Sequence, residues 1–272
     1  MFNNLKKYQP FINAGIKRSF AYRLDFLLYR VGDIMGAIVT YFLWSAIFNS
    51  SKHSSIGGFT IQEMSIYVFL SFFTGIVINT GSSPTIGQEI KDGSIVMRLL
   101  KPVSFMATYL FEEVGKKIVQ VGILTVPILG GLIIFQIFIS TVVPFDIFNL
   151  LFFSLSVLLA YLLNFYFDLC FGFTAFVLKN LWGANIMKTS IVAFMSGTLI
   201  PLVFFPSELY NILQYFPFAS LIYTPVLIYL GKYDNLQLFN AIFLQIFWLV
   251  IFYTLSKIIW RIVSEKITVQ GG

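Results

Sequence analysis

The sequence predicts an all-α integral membrane protein. Six transmembrane helices are expected, with an N-terminal interfacial helix, a short charged helix on the cytosolic side between spans 2 and 3, and re-entrant outer half-helices between spans 5 and 6. Three observations carry this. First, of 272 residues 58% are hydrophobic, 18% aromatic and only 11% charged, where an ordinary soluble domain is about 25% charged. So few charges cannot clothe a soluble globule, and the same figures exclude a disordered chain. Second, long stretches lack Asp, Glu, Lys and Arg almost entirely, each near the roughly 20 apolar residues that cross a bilayer. Third, the net charge of +6 comes from 18 Lys and Arg that cluster in alternate gaps between those stretches. That is the signature of basic residues held at a cytosolic face, and it implies a lipid bilayer, not nucleic acid, as the partner surface.

The elements follow in order. Residues 1–30 are cytosolic or interfacial: Phe11, Ile12, Ile16, Phe20, Leu24, Leu27 and Leu28 recur at three- and four-residue spacing among Lys17, Arg18, Arg23 and Arg30. Such a helix lies in the headgroup plane with its basic face toward anionic lipid. Spans are expected at 31–48, 64–84, 118–140, 147–178, 189–207 and 235–256. The seventh apolar stretch, 208–231, contains Pro217 and Pro225. Each proline removes a helical donor, so this segment reads as two half-helices that enter and leave the outer face. With six spans and both termini cytosolic, 16 of the 18 Lys and Arg fall inside and only Lys52 and Lys232 outside. Seven spans would leave four outside, so six are preferred.

The most informative polar segment is 87–104, between spans 2 and 3. It carries Glu89, Lys91, Asp92 and Arg98 beside the apolar Ile95, Val96 and Leu99, with Gly93 as a helix breaker and Pro102 as a stop. A solvated loop has no need of those apolar residues; a short amphipathic helix pressed on a partner does. Its charges are expected on the rim of such a contact and Ile95, Val96 and Leu99 on the buried face.

Equally informative is the chemistry that is missing. No phosphate-cradling G-x-x-x-x-G-K-[ST] occurs, and neither do H-E-x-x-H or G-x-S-x-G. A lone histidine, His53, and a lone cysteine, Cys170, cannot form a metal cluster or a Cys–His pair. The chain is therefore expected to be no enzyme and to hold no metal or cofactor of its own. Asp33 and Asp168 lie within apolar stretches, where an ionised carboxylate costs about 2.5–3.5 kcal/mol at mid-bilayer. Asp33 is three residues from Arg30, a pairing distance on a helix, and sits between Gly32 and Gly36. Asp168 is as readily structural as cavity-lining. A secondary active transporter using Asp33 and Asp168 as coupling-ion sites is the alternative reading.

The segment 86–104 resembles the permease (transmembrane) subunit of a type-2 ABC transporter. It matches that family's E-x-x-x-G-x-I-x-x-x-L-x-x-P-[VL]-S pattern through Glu89, Gly93, Ile95, Leu99, Pro102 and Ser104. The outer run is similar through Pro201, Pro206, Pro217, Phe218, Pro225 and Gly231, and the tail EKITVQGG resembles the short glycine-ended tails of one exporter-like subgroup. The resemblance implies that 87–104 is a coupling helix seated in a separate ABC ATPase. It further implies two copies of that ATPase per complex, carrying ATP and Mg, and a second permease subunit, identical or homologous. The expected role is export of drugs, peptides, lipids or glycans. Richness in Lys, Ile, Phe and Asn suggests an AT-rich bacterial source, hence a bacterial plasma membrane.

Overall fold

A computed structural model describes residues 6–51, 53–125, 129–131, 134, 136, 145–178 and 180–265. Part of the third expected span (126–140), the basic residues Lys52, Lys179 and Lys266, and the tail from 266 onward fall outside or largely outside the described residues. Within them the chain is helical, and the single β-type contact is an antiparallel bridge between Ile56 and Phe59. The helices are α1 (Gln9–Ala21), α2 (Arg23–Ser50), α3 (Ile61–Ile78), α4 (Ser82–Lys91), α5 (Val96–Leu99), α6 (Phe105–Gln120), α7 (Ile147–Gly172), α8 (Trp182–Met195), α9 (Ser207–Leu213), α10 (Tyr223–Tyr229) and α11 (Asn235–Ser264).

Four helical stretches are long and apolar enough to cross a membrane: Leu27–Ser50, Ile61–Lys91, Ile147–Phe176 and Asn235–Ser264. Their ends are chemically marked. α3 opens on a capping box in which Glu63 N donates to Thr60 Oγ1 (3.3 Å) and Thr60 N to Glu63 Oε2 (2.8 Å). α11 opens on the equivalent Asp234–Gln237 pair, and Asp146 caps α7 through Phe148 N at 2.9 Å. These residues satisfy amide groups that the first helical turn leaves without partners.

Several of the expected elements differ; the stretch 64–84 is interrupted between Ile78 and Ser82. The interfacial segment 1–30 is not one helix: α1 ends at Ala21, and Tyr22 departs from helical geometry before α2 begins. The stretch 189–207 is not one span either. α8 starts earlier, at Trp182, and ends at Met195, and 14 residues reach only about 21 Å at 1.5 Å per residue. Gly197 then turns the chain with φ +79°. A side chain at that position would meet Tyr67 Oη at 2.9 Å and Tyr223 Cβ at 3.2 Å, so the turn needs glycine for both conformation and space. Tyr67 Oη donates to Gly197 O at 2.6 Å and Tyr223 N to Ser196 O at 3.0 Å, which pins the turn to the core.

Beyond it, the prolines act as punctuation. Pro201 precedes a 3-10 turn, Leu202–Phe204. Pro206 caps α9, and Pro225 lies in the first turn of α10, where a missing amide is cheapest. Pro217 and Phe218 lie in the link between these two seven-residue helices. Every residue of α10 is buried, against α7 and α3. The main core joins α3 (Met64, Tyr67, Leu70, Phe73), α7 (Phe153, Ala160, Leu163) and α10 (Val226). A second cluster at the opposite end joins Ile86, Ile95, Phe105, Tyr109, Phe165, Leu169 and Phe173, with Trp260 of α11 stacked on Phe105 at 3.8 Å. Only 17% of the α2 span and 6% of the α11 span is buried within the chain, which leaves these two as the outer wall.

Candidate functional site

The arm between α4 and α6 is built by one glycine and one charge network. α4 stops at Asp92, whose Oδ1 accepts from Ser94 N (2.9 Å) and Ser94 Oγ (2.6 Å). These bonds hold the Asp92 carboxyl below the usual range. Gly93 takes φ +77° with open space around it. The need there is conformational alone, because a side chain disfavours left-handed backbone. The turn sends the chain back on itself, so that Ile95 N bonds Glu89 O at 3.1 Å and α5 lies beside α4.

This reversal brings Arg98 onto Glu89. Arg98 Nε donates to both Glu89 oxygens (2.9 and 2.8 Å), and Nη2 reaches Glu89 Oε1 at 2.7 Å and Glu112 Oε2 at 2.6 Å. The guanidinium lies 4.0 Å from the centre of the Tyr109 ring, whose hydroxyl donates to Glu89 Oε2 at 2.5 Å. Arg18 of α1 closes the network on Glu112 Oε1 at 2.9 Å. Burial alone would raise the Glu112 carboxyl, but the hydrogen bond and charge of Arg98, joined by Lys116 and Arg18, bring it below its ordinary value. Arg98 is likewise opposed by burial and carried the other way by Glu89 and Glu112, which hold its proton more firmly. Multidentate charge-assisted bonds of this kind fix geometry as well as adding energy.

Behind the arm lies a half-open cavity of about 860 Å³. Seven charged side chains line it: Arg30 and Asp33 of α2, Glu113, Lys116 and Lys117 of α6, Asp168 of α7 and Lys188 of α8. Six of them pair: Arg30 with Asp33 at 2.8 Å, Lys116 with Glu113 at 2.6 Å, and Lys188 with Asp168. Thr80 Oγ1 also donates to Asp168, at 2.5 Å. The joint between α3 and α4 forms one wall, and Lys117 Nζ and Asn164 Nδ2 donate there to the end carbonyls Ile76 O and Ile78 O, each at 3.0 Å. The half-open cavity thus sets paired ions among apolar spans, where ionisable groups are costly and need partners.

Comparison with known proteins supplies the class. A family model described as ABC-2 family transporter protein matches residues 34–271. The chain belongs to the ABC-2 transporter family. It is a multi-pass membrane protein and a transporter permease, and ABC-2 membrane proteins work with ATPase subunits in ABC transporters. No curated protein matches the chain.

In this ABC-2 chain the residues singled out from sequence divide by position. Lys91, Asp92, Gly93 and Pro102 are exposed. Glu89 and Arg98, expected on an outward rim, turn inward on each other and on Glu112. Ile95, expected on a partner-facing side, is buried in the chain's own second cluster, where Val96 and Leu99 pack half-buried against it. The apolar residues left outside are Met97 (66% exposed) and Leu100 (74%), neither of them among the three expected on the buried face. Asp33 and Asp168 both line the cavity. Sequence reasoning missed Lys188 as the partner of Asp168, Glu112 as the hub of the arm network, and Lys117. Pro206, Pro217, Phe218 and Pro225 lie in the segment around α9 and α10, where Phe218 meets the cavity-lining Phe167 edge to face at 5.4 Å.

Proposed function

We propose that this chain is the membrane-spanning permease subunit of an ATP-driven exporter, forms half of the substrate pathway, and couples through the arm at 87–104 to a separate ATPase. Two ATPase copies carry ATP and Mg, a second permease, identical or homologous, completes the pathway, and this chain catalyses nothing itself. The layout is six spans with both termini cytosolic in a bacterial plasma membrane, and the segment at 208–231 re-enters from the outer face. The observation that carries the reading is the two-sided arm. Its inner side is locked to α1, α4 and α6 by the Arg98 network. Its outer side presents Met97 and Leu100 between Lys91, Asp92 and Lys101. An exposed apolar pair inside a charged rim is the composition of a docking face. A locked inner side lets a push on the arm move α1 and α6 as one body.

The test is affinity purification of the tagged chain in mild detergent, with the accompanying chains identified. An ABC ATPase is expected to accompany the natural chain. Met97→Asp with Leu100→Asp, at positions that touch little of their own chain, should weaken capture at least tenfold, or about 1.4 kcal/mol, while insertion is retained. Unaltered capture of the ATPase by the double variant would discard the arm as the docking element. Asp33 and Asp168 are both ion-paired, so an ion-coupled carrier is not the preferred reading.

A further inference from the structure

Among the described residues the charged side chains around the cavity are unequal in number. Three carboxylates, Asp33, Glu113 and Asp168, meet four cations, and each carboxylate has its own partner. The fourth cation is Lys117, half-buried, whose ammonium donates to Ile76 O at 3.0 Å and Gln120 Oε1 at 2.8 Å. Among the described residues no carboxylate pairs with it. The carbonyl end of α3 offers it roughly half an elementary negative charge. The amide end of α4 begins at the same joint, at Ser82, and offsets that with a similar positive one. Burial pushes the Lys117 ammonium down to about 7 against the pull of Glu113, so near neutral pH it holds its proton only in part, and an anion placed beside it would keep it charged. Tyr29, Phe72 and Phe167 share the lining with Lys117, so a cation and an apolar aromatic wall face the same space. The volume of about 860 Å³ falls within the roughly 300–1,000 Å³ of small-molecule sites.

We infer that the cavity receives an anionic amphiphile, whose phosphate, sulfate or carboxylate head neutralises Lys117 and whose apolar body lies on Tyr29, Phe72 and Phe167. This rests on the permease reading and specifies the substrate class of the same pathway. The paired ions then serve as a polar lining beside Lys117, not as coupling-ion sites.

The experiment uses the full chain purified with its ATPase in a neutral detergent, with binding followed by native mass spectrometry. Dodecyl phosphate should bind at least tenfold more tightly than dodecyltrimethylammonium. Lys117→Gln should remove that preference, and Lys117→Arg should keep most of it. Equal binding of the two probes overturns the inference, as does undiminished dodecyl phosphate binding in Lys117→Gln. If Lys117→Gln does not insert, the comparison of the two probes on the natural chain decides. Displacement by inorganic phosphate at equal concentration also overturns it, because a bare anion would then suffice. A co-purified phospholipid that dodecyl phosphate displaces supports it with the bilayer as the source, and an empty site that takes the probe supports it with a free amphiphile. Loss of the ATPase during purification strikes the coupling reading alone, since probe selectivity is still read on the chain; loss of selectivity with the ATPase present strikes this inference alone.

Discussion

Arg98 is the residue on which most of the arm depends. It sits between Glu89 and Glu112 with its side chain only 11% exposed. Among the described residues, removing it leaves Glu89 with the Tyr109 hydroxyl alone and Glu112 with Arg18 and Lys116, in a half-closed space. Breaking a buried ion pair from one side typically costs about 3–5 kcal/mol, and Arg98→Ala should approach the lower figure, since Glu89 keeps some water contact. Arg98→Lys keeps the charge but loses the fork that serves Glu89 and Glu112 together, so it should fall between. Thermal unfolding of the detergent-solubilised chain checks the order natural, Lys, Ala. An Ala variant as stable as the natural chain would mean that the network does not hold the arm. The sequence shows why this residue was read as a rim charge. Positions 89 and 98 are nine apart, and on an uninterrupted helix they would not meet. They meet because the left-handed turn at Gly93 reverses the chain, and a turn's direction is a three-dimensional fact that spacing does not encode. Lys188 was missed for a related reason: it lies 20 residues from Asp168 on another helix, and in sequence it reads as one more basic residue at the cytosolic boundary.

Among the elements, α1 and α6 touch most intimately. Gly15 and Gly115 face each other across the crossing. A side-chain carbon at Gly15 would lie 2.1 Å from Glu112 O, and one at Gly115 the same distance from Ile12 O. Both obstacles are backbone, which cannot rotate away. Small residues let helices approach until their backbones meet, and here they place Arg18 within reach of Glu112 and Tyr8 in a stack with Phe111 at 4.6 Å. Gly15→Ala and Gly115→Ala should each force α1 off α6, at about 1–3 kcal/mol for an overpacked contact. Proteolysis of α1 should then accelerate, with the ATPase still captured by the arm. Unchanged proteolysis would show that the two helices do not rest on each other. That α1 exists at all was legible from its three- and four-residue apolar spacing. Its docking partner was not, because a glycine in a helix carries no side chain to announce a contact. In the same way the apolar composition exposed the four long helices, whereas the early end of α8 depended on a turn at Gly197 that only tertiary packing specifies.

At the scale of the whole molecule the fold supplies a landmark for which end faces the cell exterior. The capping box of α3, the Lys232–Glu63 bridge at 2.5 Å and the bond from Lys232 Nζ to Gly58 O at 2.9 Å gather at one end. The arm, α1 and the Trp260 stack gather at the other. α9 hangs at the first end, and Asn211 on it is exposed. Cys170 is buried, so Cys170→Ala gives a background without thiols and, as a small packing change, should cost little. In that background Asn211→Cys should react with a membrane-impermeant maleimide added outside intact cells, while Met97→Cys on the arm should react only after the membrane is opened. The sixteen-to-two distribution of basic residues predicts this sense, and the ATPase proposal requires it, because ATP is supplied from the cytosol. The reverse labelling pattern would place the arm outside and remove the ATPase proposal at once. Labelling of both positions from outside would mean that the chain between them crosses the membrane an even number of times, which the helix count between α5 and α9 would then have to accommodate.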